Sequence, residues 1–192
     1  MTDKTNKKAW AVLWAAIIMN FFSGLGYIWS IIGKELMVQL QWTSLQSSLP
    51  YTVFSVAFAL SMVISGKVQD KKGPRFVASI GSLLIGAGLI LTGFALKPFL
   101  MIITYGLMAG FGLGSMYSST VPPALKWFPP ENKGTINGVT VAVLALASVM
   151  YSPLTKFLMA NYGIAPTFWI IGTGILIILI GFSQLLSNPP EN

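Results

Sequence analysis

The sequence predicts an all-α membrane protein of six transmembrane helices with both termini in the cytoplasm. Three observations predict it. Of 192 residues, 54% are hydrophobic and 9% charged, and a mean hydropathy of +0.73 leaves too few polar groups to cover a water-soluble domain. The apolar residues fall into six runs, each long enough to cross a hydrocarbon core of about 30 Å at ~1.5 Å per residue. The basic residues lie between these runs and divide unequally between alternate loops, as expected when Lys and Arg collect on the cytoplasmic side.

The first span is 9–33, flanked by Lys7, Lys8 and Lys34. Its apolar run of about 25 residues, without a small-residue cleavage site, reads as a retained helix behind a cytoplasmic tail, 1–8, and not as a signal peptide. A short polar loop leads to the second span, 48–66, and the third, 76–96, stops before Pro98. The fourth, 99–121, ends at Pro122-Pro123, ahead of Lys126-Trp127-Phe128-Pro129, whose aromatic pair suits the headgroup region. The fifth is 135–158, and the sixth, 166–186, closes before Asn188-Pro189-Pro190, where two prolines forbid more helix. Residues 9–187 thus form one bundle, and 188–192 read as the start of a truncated central linker.

Orientation follows from the bases. With the N-terminus inside, Lys4, Lys7, Lys8, Lys67, Lys71, Lys72, Arg75, Lys126 and Lys133 are cytoplasmic, leaving Lys34, Lys97 and Lys156 outside. The same dispersal accounts for the net charge of +7 without nucleic acid, because no basic face with interleaved aromatics forms. The chain has no Cys and no His, which excludes disulfides, zinc sites, thiol nucleophiles and imidazole bases. Its five acids, Asp3, Glu35, Asp70, Glu131 and Glu191, are scattered through loops and tails. No acid–base pair emerges, so an enzyme, a metal site and a bound cofactor are not expected.

Polar and small residues at helical spacing mark faces that avoid lipid. Asn20, Tyr27, Thr52, Ser55, Tyr117 and Tyr151 are the candidates for lining a substrate pathway. A mid-span amide or phenol needs a polar partner, which is either another helix or substrate and water. Gly106, Gly110 and Gly114 have the spacing of close helix contact. Gly24-Leu25-Gly26-Tyr27-Ile28-Trp29-Ser30 echoes Gly112-Leu113-Gly114-Ser115-Met116-Tyr117-Ser118, the trace that a three-plus-three inverted repeat leaves. No charged residue falls mid-span.

The most informative loop is Gly66-Lys67-Val68-Gln69-Asp70-Lys71-Lys72-Gly73-Pro74-Arg75. Gly73 permits a backbone angle that other residues avoid, and Pro74 opens the next helix with its missing N–H harmlessly placed. Gly66, Asp70, Lys71, Gly73 and Arg75 resemble the cytoplasmic signature of the major facilitator superfamily, Gly-x-x-x-Asp-[Arg/Lys]-x-Gly-x-[Arg/Lys]. Together with Gly26-Tyr27-Ile28-Trp29-Ser30, the run from Phe58 to Met62 and Lys126-Trp127-Phe128-Pro129, the chain resembles the oxalate:formate antiporter family.

That resemblance implies the amino-terminal six-helix half of a secondary transporter for small organic anions such as oxalate, formate or lactate, in a bacterial inner membrane and not competent alone. It implies a gate in which Asp70 faces a helix N-terminus of the other half and is held by Arg75, and a cavity lined by Tyr27 and Tyr117. The expected partners are the anion, the bilayer and a complementary carboxy-terminal half or a second copy of this chain. The cations that hold substrate in the family come from the second half, and Leu107 to Ser115 lacks the arginine of proton-coupled members. A homodimeric carrier and a non-transporting assembly subunit are the alternatives.

Overall fold

The computed structural model describes residues 3–189, apart from the side chains of residues 3–5, Leu25 and Tyr27. All regular structure among them is helical. Helix α1 spans Asp3–Phe22 and is followed by a tight 3-10 turn, Gly24–Ile28, and by α2, Trp29–Gln39. Then come α3, Ser44–Lys72, α4, Pro74–Phe94, α5, Pro98–Lys126, α6, Pro130–Tyr162, and α7, Ile164–Ser183. These five, α3 to α7, are long and apolar enough to cross a membrane.

The span expected over 9–33 is two helices joined by the tight turn. The break coincides with Gly24, which lies so close to α6 that a Cβ would stand 2.9 Å from the Leu144 carbonyl and overlap Ala147. Two glycines within three residues also weaken the helix locally. Beside them, Ser23 turns its hydroxyl back to the Met19 carbonyl and towards the Met116 sulfur. The second expected span, 48–66, is the middle of a longer helix. Thr43 starts it four residues earlier by accepting from Gln46 N (3.2 Å) while Gln46 Oε1 accepts from Thr43 N (2.9 Å), a reciprocal cap.

Gly73 ends α3 at φ +83°, and Pro74 begins α4 at once, as the signature loop predicts. Gly163 repeats the device between α6 and α7 at φ +84°. Helix α5 differs from expectation at both ends of its course. It is wound as a π-helix over Ile102–Ala109 and runs through Pro122-Pro123 to Lys126. Prolines are tolerated there because neighbouring helices sustain the segment where soluble helices would stop.

Helix α5 sits between α3 and α4. Gly106, Gly110 and Gly114 rest against Pro50, Phe54 and Phe58 of α3, so the two helices run parallel with a fixed offset. Gly112 meets Gly81 of α4 backbone to backbone. Helix α4 packs antiparallel on α7, Gly86 against Leu176 and Gly93 against Trp169. With lipid on the outside there is little hydrophobic drive between helices, and such close approach supplies the dispersion contact that holds them.

The helices are unequally covered. About half of the apolar window is buried in α4 and α5 (56% each), but only 28% in α3 and 22% in α6. Those two flank the site described next.

Candidate functional site

One face of α3 carries Ser48, Tyr51, Thr52, Ser55, Phe58, Met62, Gly66 and Asp70, spaced by three and four residues so that they form a single stripe. Three clefts open along it. The middle one, ≈ 180 Å³, lies between Ser23 and Gly24 of the α1 break, Phe54 and Phe58 of α3, Tyr117 of α5 and Leu144 of α6. Tyr51 also borders a cleft of ≈ 260 Å³ around Ser30, Lys34 and Ser48. Tyr117 also borders one of ≈ 420 Å³ around Gln69, Asp70, Lys126 and Asn137. The three therefore make one groove. From Ser48 to Asp70 it extends ~33 Å at the helical rise, about the thickness of a hydrocarbon core.

Thr52 and Ser55 are exposed on this stripe. Their hydroxyls donate to the Ser48 carbonyl (3.2 Å) and the Tyr51 carbonyl (3.0 Å), so towards the groove they offer oxygen lone pairs. Tyr117 packs edge-on against Phe58, ring centroids 6.1 Å apart. The backbone of Tyr27 lies in the 3-10 turn, and its side chain falls outside the described residues.

Asn20 and Tyr151 line none of the three clefts; both are buried against neighbouring helices. Asn20 Nδ2 donates to the Ala16 carbonyl (2.9 Å) and to Thr120 Oγ1 of α5 (3.3 Å). Tyr151 donates its hydroxyl to the Phe22 carbonyl (3.0 Å), meeting one of the free acceptors where α1 ends. Of the two alternatives for a mid-span polar group, the Asn20 amide nitrogen and the Tyr151 hydroxyl have the helix partner, while Asn20 Oδ1 is buried with no hydrogen-bond partner among the described residues.

The signature residues separate. Gly66 and Asp70 face the groove, where Asp70 Oδ1 stands 3.8 Å from Lys126 Nζ. Arg75 does not hold Asp70, contrary to what the resemblance implies. Its guanidinium donates instead to the Gln184 carbonyl, because the turn at Gly73 places Arg75 on the first turn of α4, beside the open end of α7. Lys72 sits over the Phe76 ring at 4.9 Å, while Lys71 is exposed.

Sequence reasoning missed the aromatic wall. Tyr51, Phe54 and Phe58 recur at three and four residues, a helical signal present in the sequence. Trp29, Tyr105 and Phe54 continue it inward, with centroids 4.4 Å and 5.1 Å apart. It also missed a hydroxyl cluster. Ser115 of α5 meets Ser65 (2.7 Å) and Ser61 (3.2 Å) of α3, fastening the two helices below the glycine contacts. Among the described residues, charge in the groove is confined to its ends, Lys34 at one and Asp70 with Lys126 at the other.

Comparison with known proteins agrees with this architecture. The family profile of the Major Facilitator Superfamily matches residues 12–192. The chain is 27% identical over 182 residues to the uncharacterized MFS-type transporter YhjX of Escherichia coli (strain K12), covering 95% of this chain and 45% of that protein. It is 29% identical over 170 residues to the oxalate:formate antiporter of Oxalobacter formigenes, covering 88% and 40%. With the probable sulfoacetate transporter SauU of Cupriavidus necator it shares 24% over 143 residues, covering 74% and 33%. The chain spans less than half the length of these relatives. A helical bundle of membrane-crossing length, a signature loop turned by Gly73, and a match over nearly all its residues lead to one conclusion: this chain belongs to the major facilitator superfamily.

Proposed function

We propose that this chain is the amino-terminal half of a secondary transporter for small organic anions, working by alternating access against a second six-helix unit. The observation that carries the reading is the groove itself. It runs the length of α3, lies between the two least covered helices and has no charge in its middle. A groove open along one side becomes a pathway only when a second surface closes it, and rocking of one bundle against another does so in turn from each end.

The substrate class rests on two relatives whose names specify oxalate and formate, and sulfoacetate. An anion at mid-membrane needs a compensating cation, and in this reading the second unit supplies it. Tyr51, Thr52, Ser55 and Tyr117 then form the uncharged wall, while Asp70 and Lys126 form one gate. We place that gate and both termini at the cytoplasmic face of a bacterial inner membrane, because nine of the twelve basic residues gather on that side.

The test is uptake of labelled oxalate, formate and lactate into proteoliposomes holding this chain alone, or this chain with a complementary carboxy-terminal half. Uptake is expected only with both, and is lost on Asp70→Asn. Uptake by the single chain above empty vesicles overturns the half-transporter reading.

A further inference from the structure

Helix α3 is two-sided. Opposite the groove stripe, Leu60 and Ile64 line a second cleft, ≈ 370 Å³, whose other walls are Leu84 of α4 and Leu107, Met108 and Phe111 of α5. All of these side chains are apolar. Leu107 and Met108 belong to the π-wound stretch Ile102–Ala109, whose wider turn shapes that wall. Leu60, Ile64 and Leu107 are exposed there, on the side of α3 turned away from the groove.

Its edge nearest the Gly73 turn is charged. Lys67 and Lys71 continue the row of Leu60 and Ile64 at three- and four-residue spacing, and both are exposed. On α4, Ile80 and Phe76 continue the row of Leu84 at four-residue spacing, also exposed, and Lys72 covers the Phe76 ring at 4.9 Å. The one acid of this loop is turned away, since Asp70 faces the groove and pairs with Lys126. Three ammonium groups therefore stand within about two helical turns of an apolar cleft at the end of α3, where a bilayer places its phosphates.

We propose that this outer cleft binds one acidic glycerophospholipid, an acyl chain lying along Leu60, Ile64 and Leu107 and the phosphate at Lys67 and Lys71. Charge complementarity selects the occupant. A zwitterionic lipid presents its own cation to the lysines, whereas an acidic one gains on the order of fivefold in affinity per lysine near the surface. The inference needs only that the chain spans a membrane and is independent of what it transports.

The test uses the full chain in mild detergent with phosphatidylglycerol or phosphatidylcholine of identical acyl chains, and counts bound lipid by native mass spectrometry. One phosphatidylglycerol is expected to be retained at least tenfold over phosphatidylcholine. The double variant Lys67→Gln with Lys71→Gln, both surface positions, is expected to bring the ratio close to one. Lys133→Gln with Lys156→Gln leaves it unchanged. Leu107→Trp fills the cleft and lowers occupancy while keeping every lysine. Equal retention of the two lipids overturns the proposal, as does a preference that survives loss of Lys67 and Lys71. Occupancy unaffected by Leu107→Trp overturns the acyl site, and a dimer that Leu107→Trp dissociates makes the occupant a second copy.

Discussion

Replacing Gly110 by Ala tests whether the α3–α5 contact holds the bundle together. A Cβ on Gly110 would lie 2.6 Å from the Phe54 carbonyl oxygen and 2.9 Å from Phe54 Cα. Both are backbone atoms, so no side-chain rotation relieves the overlap. To reach the 3.0 Å below which real Cβ atoms essentially never approach, the helices must part by at least the difference, 0.4 Å. Gly106 and Gly114 hold the contact one turn to either side, so the separation spreads along the helix. Overpacking of this kind costs about 1–3 kcal/mol. At ~3 °C per kcal/mol for a chain of this size, the apparent melting midpoint falls by ~3–9 °C. The assay is the fraction of fluorescently tagged chain that stays monodisperse on size exclusion after heating at a fixed rate, since membrane proteins rarely unfold reversibly. Gly174→Ala is the control, because nothing lies within 4 Å of a Cβ there. A Gly110→Ala midpoint within about 1 °C of the parent, or an equal loss at Gly174→Ala, refutes the reasoning.

Further outcomes follow from the same contacts. Tyr151→Phe removes the bond to the Phe22 carbonyl and costs about 1 kcal/mol, a few degrees in the same heating assay. Asp70→Asn breaks a solvent-exposed pair and costs less than ~1 kcal/mol, so the heating curve stays close to the parent even where transport by a complete carrier is lost. Ser115→Ala removes the hydroxyl that joins Ser61 and Ser65, at ~0.6 kcal/mol for an interhelical bond in a membrane. The chain has no cysteine, so single Cys variants label without background. Ser55→Cys is expected to react with a charged, water-borne thiol reagent and Leu60→Cys to remain unlabelled, the reverse order showing that the groove has been assigned to the wrong face.

What was legible in the sequence depended on distance along the chain. Gly73-Pro74 specifies its own turn, and the spacing of Gly106, Gly110 and Gly114 announces a helix contact, though not which helix receives it. The close approach at Gly24 was not legible, because the residue it meets, Ala147, is far away in the sequence. The π-wound stretch leaves no compositional mark either. Within the groove, Thr52, Ser55 and Tyr117 could be found from polar spacing on helices that lipid surrounds. Asn20 and Tyr151 carry the same signal, and only their partners, Thr120 and the Phe22 carbonyl, separate them from the groove residues. The partner of Asp70 was likewise hidden: Arg75 is nearer in sequence, but the loop geometry delivers it to Gln184 and leaves Lys126 beside the acid.

The glycine contacts between α3 and α5 repeat every four residues, so the seam looks the same after a slide of one turn, about 5.4 Å. Such a slide would seat Gly106 on Phe54 and Gly110 on Phe58 and lose only one of the three crossings. On the α3 side alone, the glycine contacts therefore leave the axial position of α5 nearly degenerate, whereas on the α4 side Gly112 meets Gly81 in a single register. Ser115 favours one division of this vernier: only there does its hydroxyl meet both Ser61 and Ser65, whereas one turn further it would keep Ser65 and exchange Ser61 for Gln69, so an alanine there removes a mark worth ~0.6 kcal/mol.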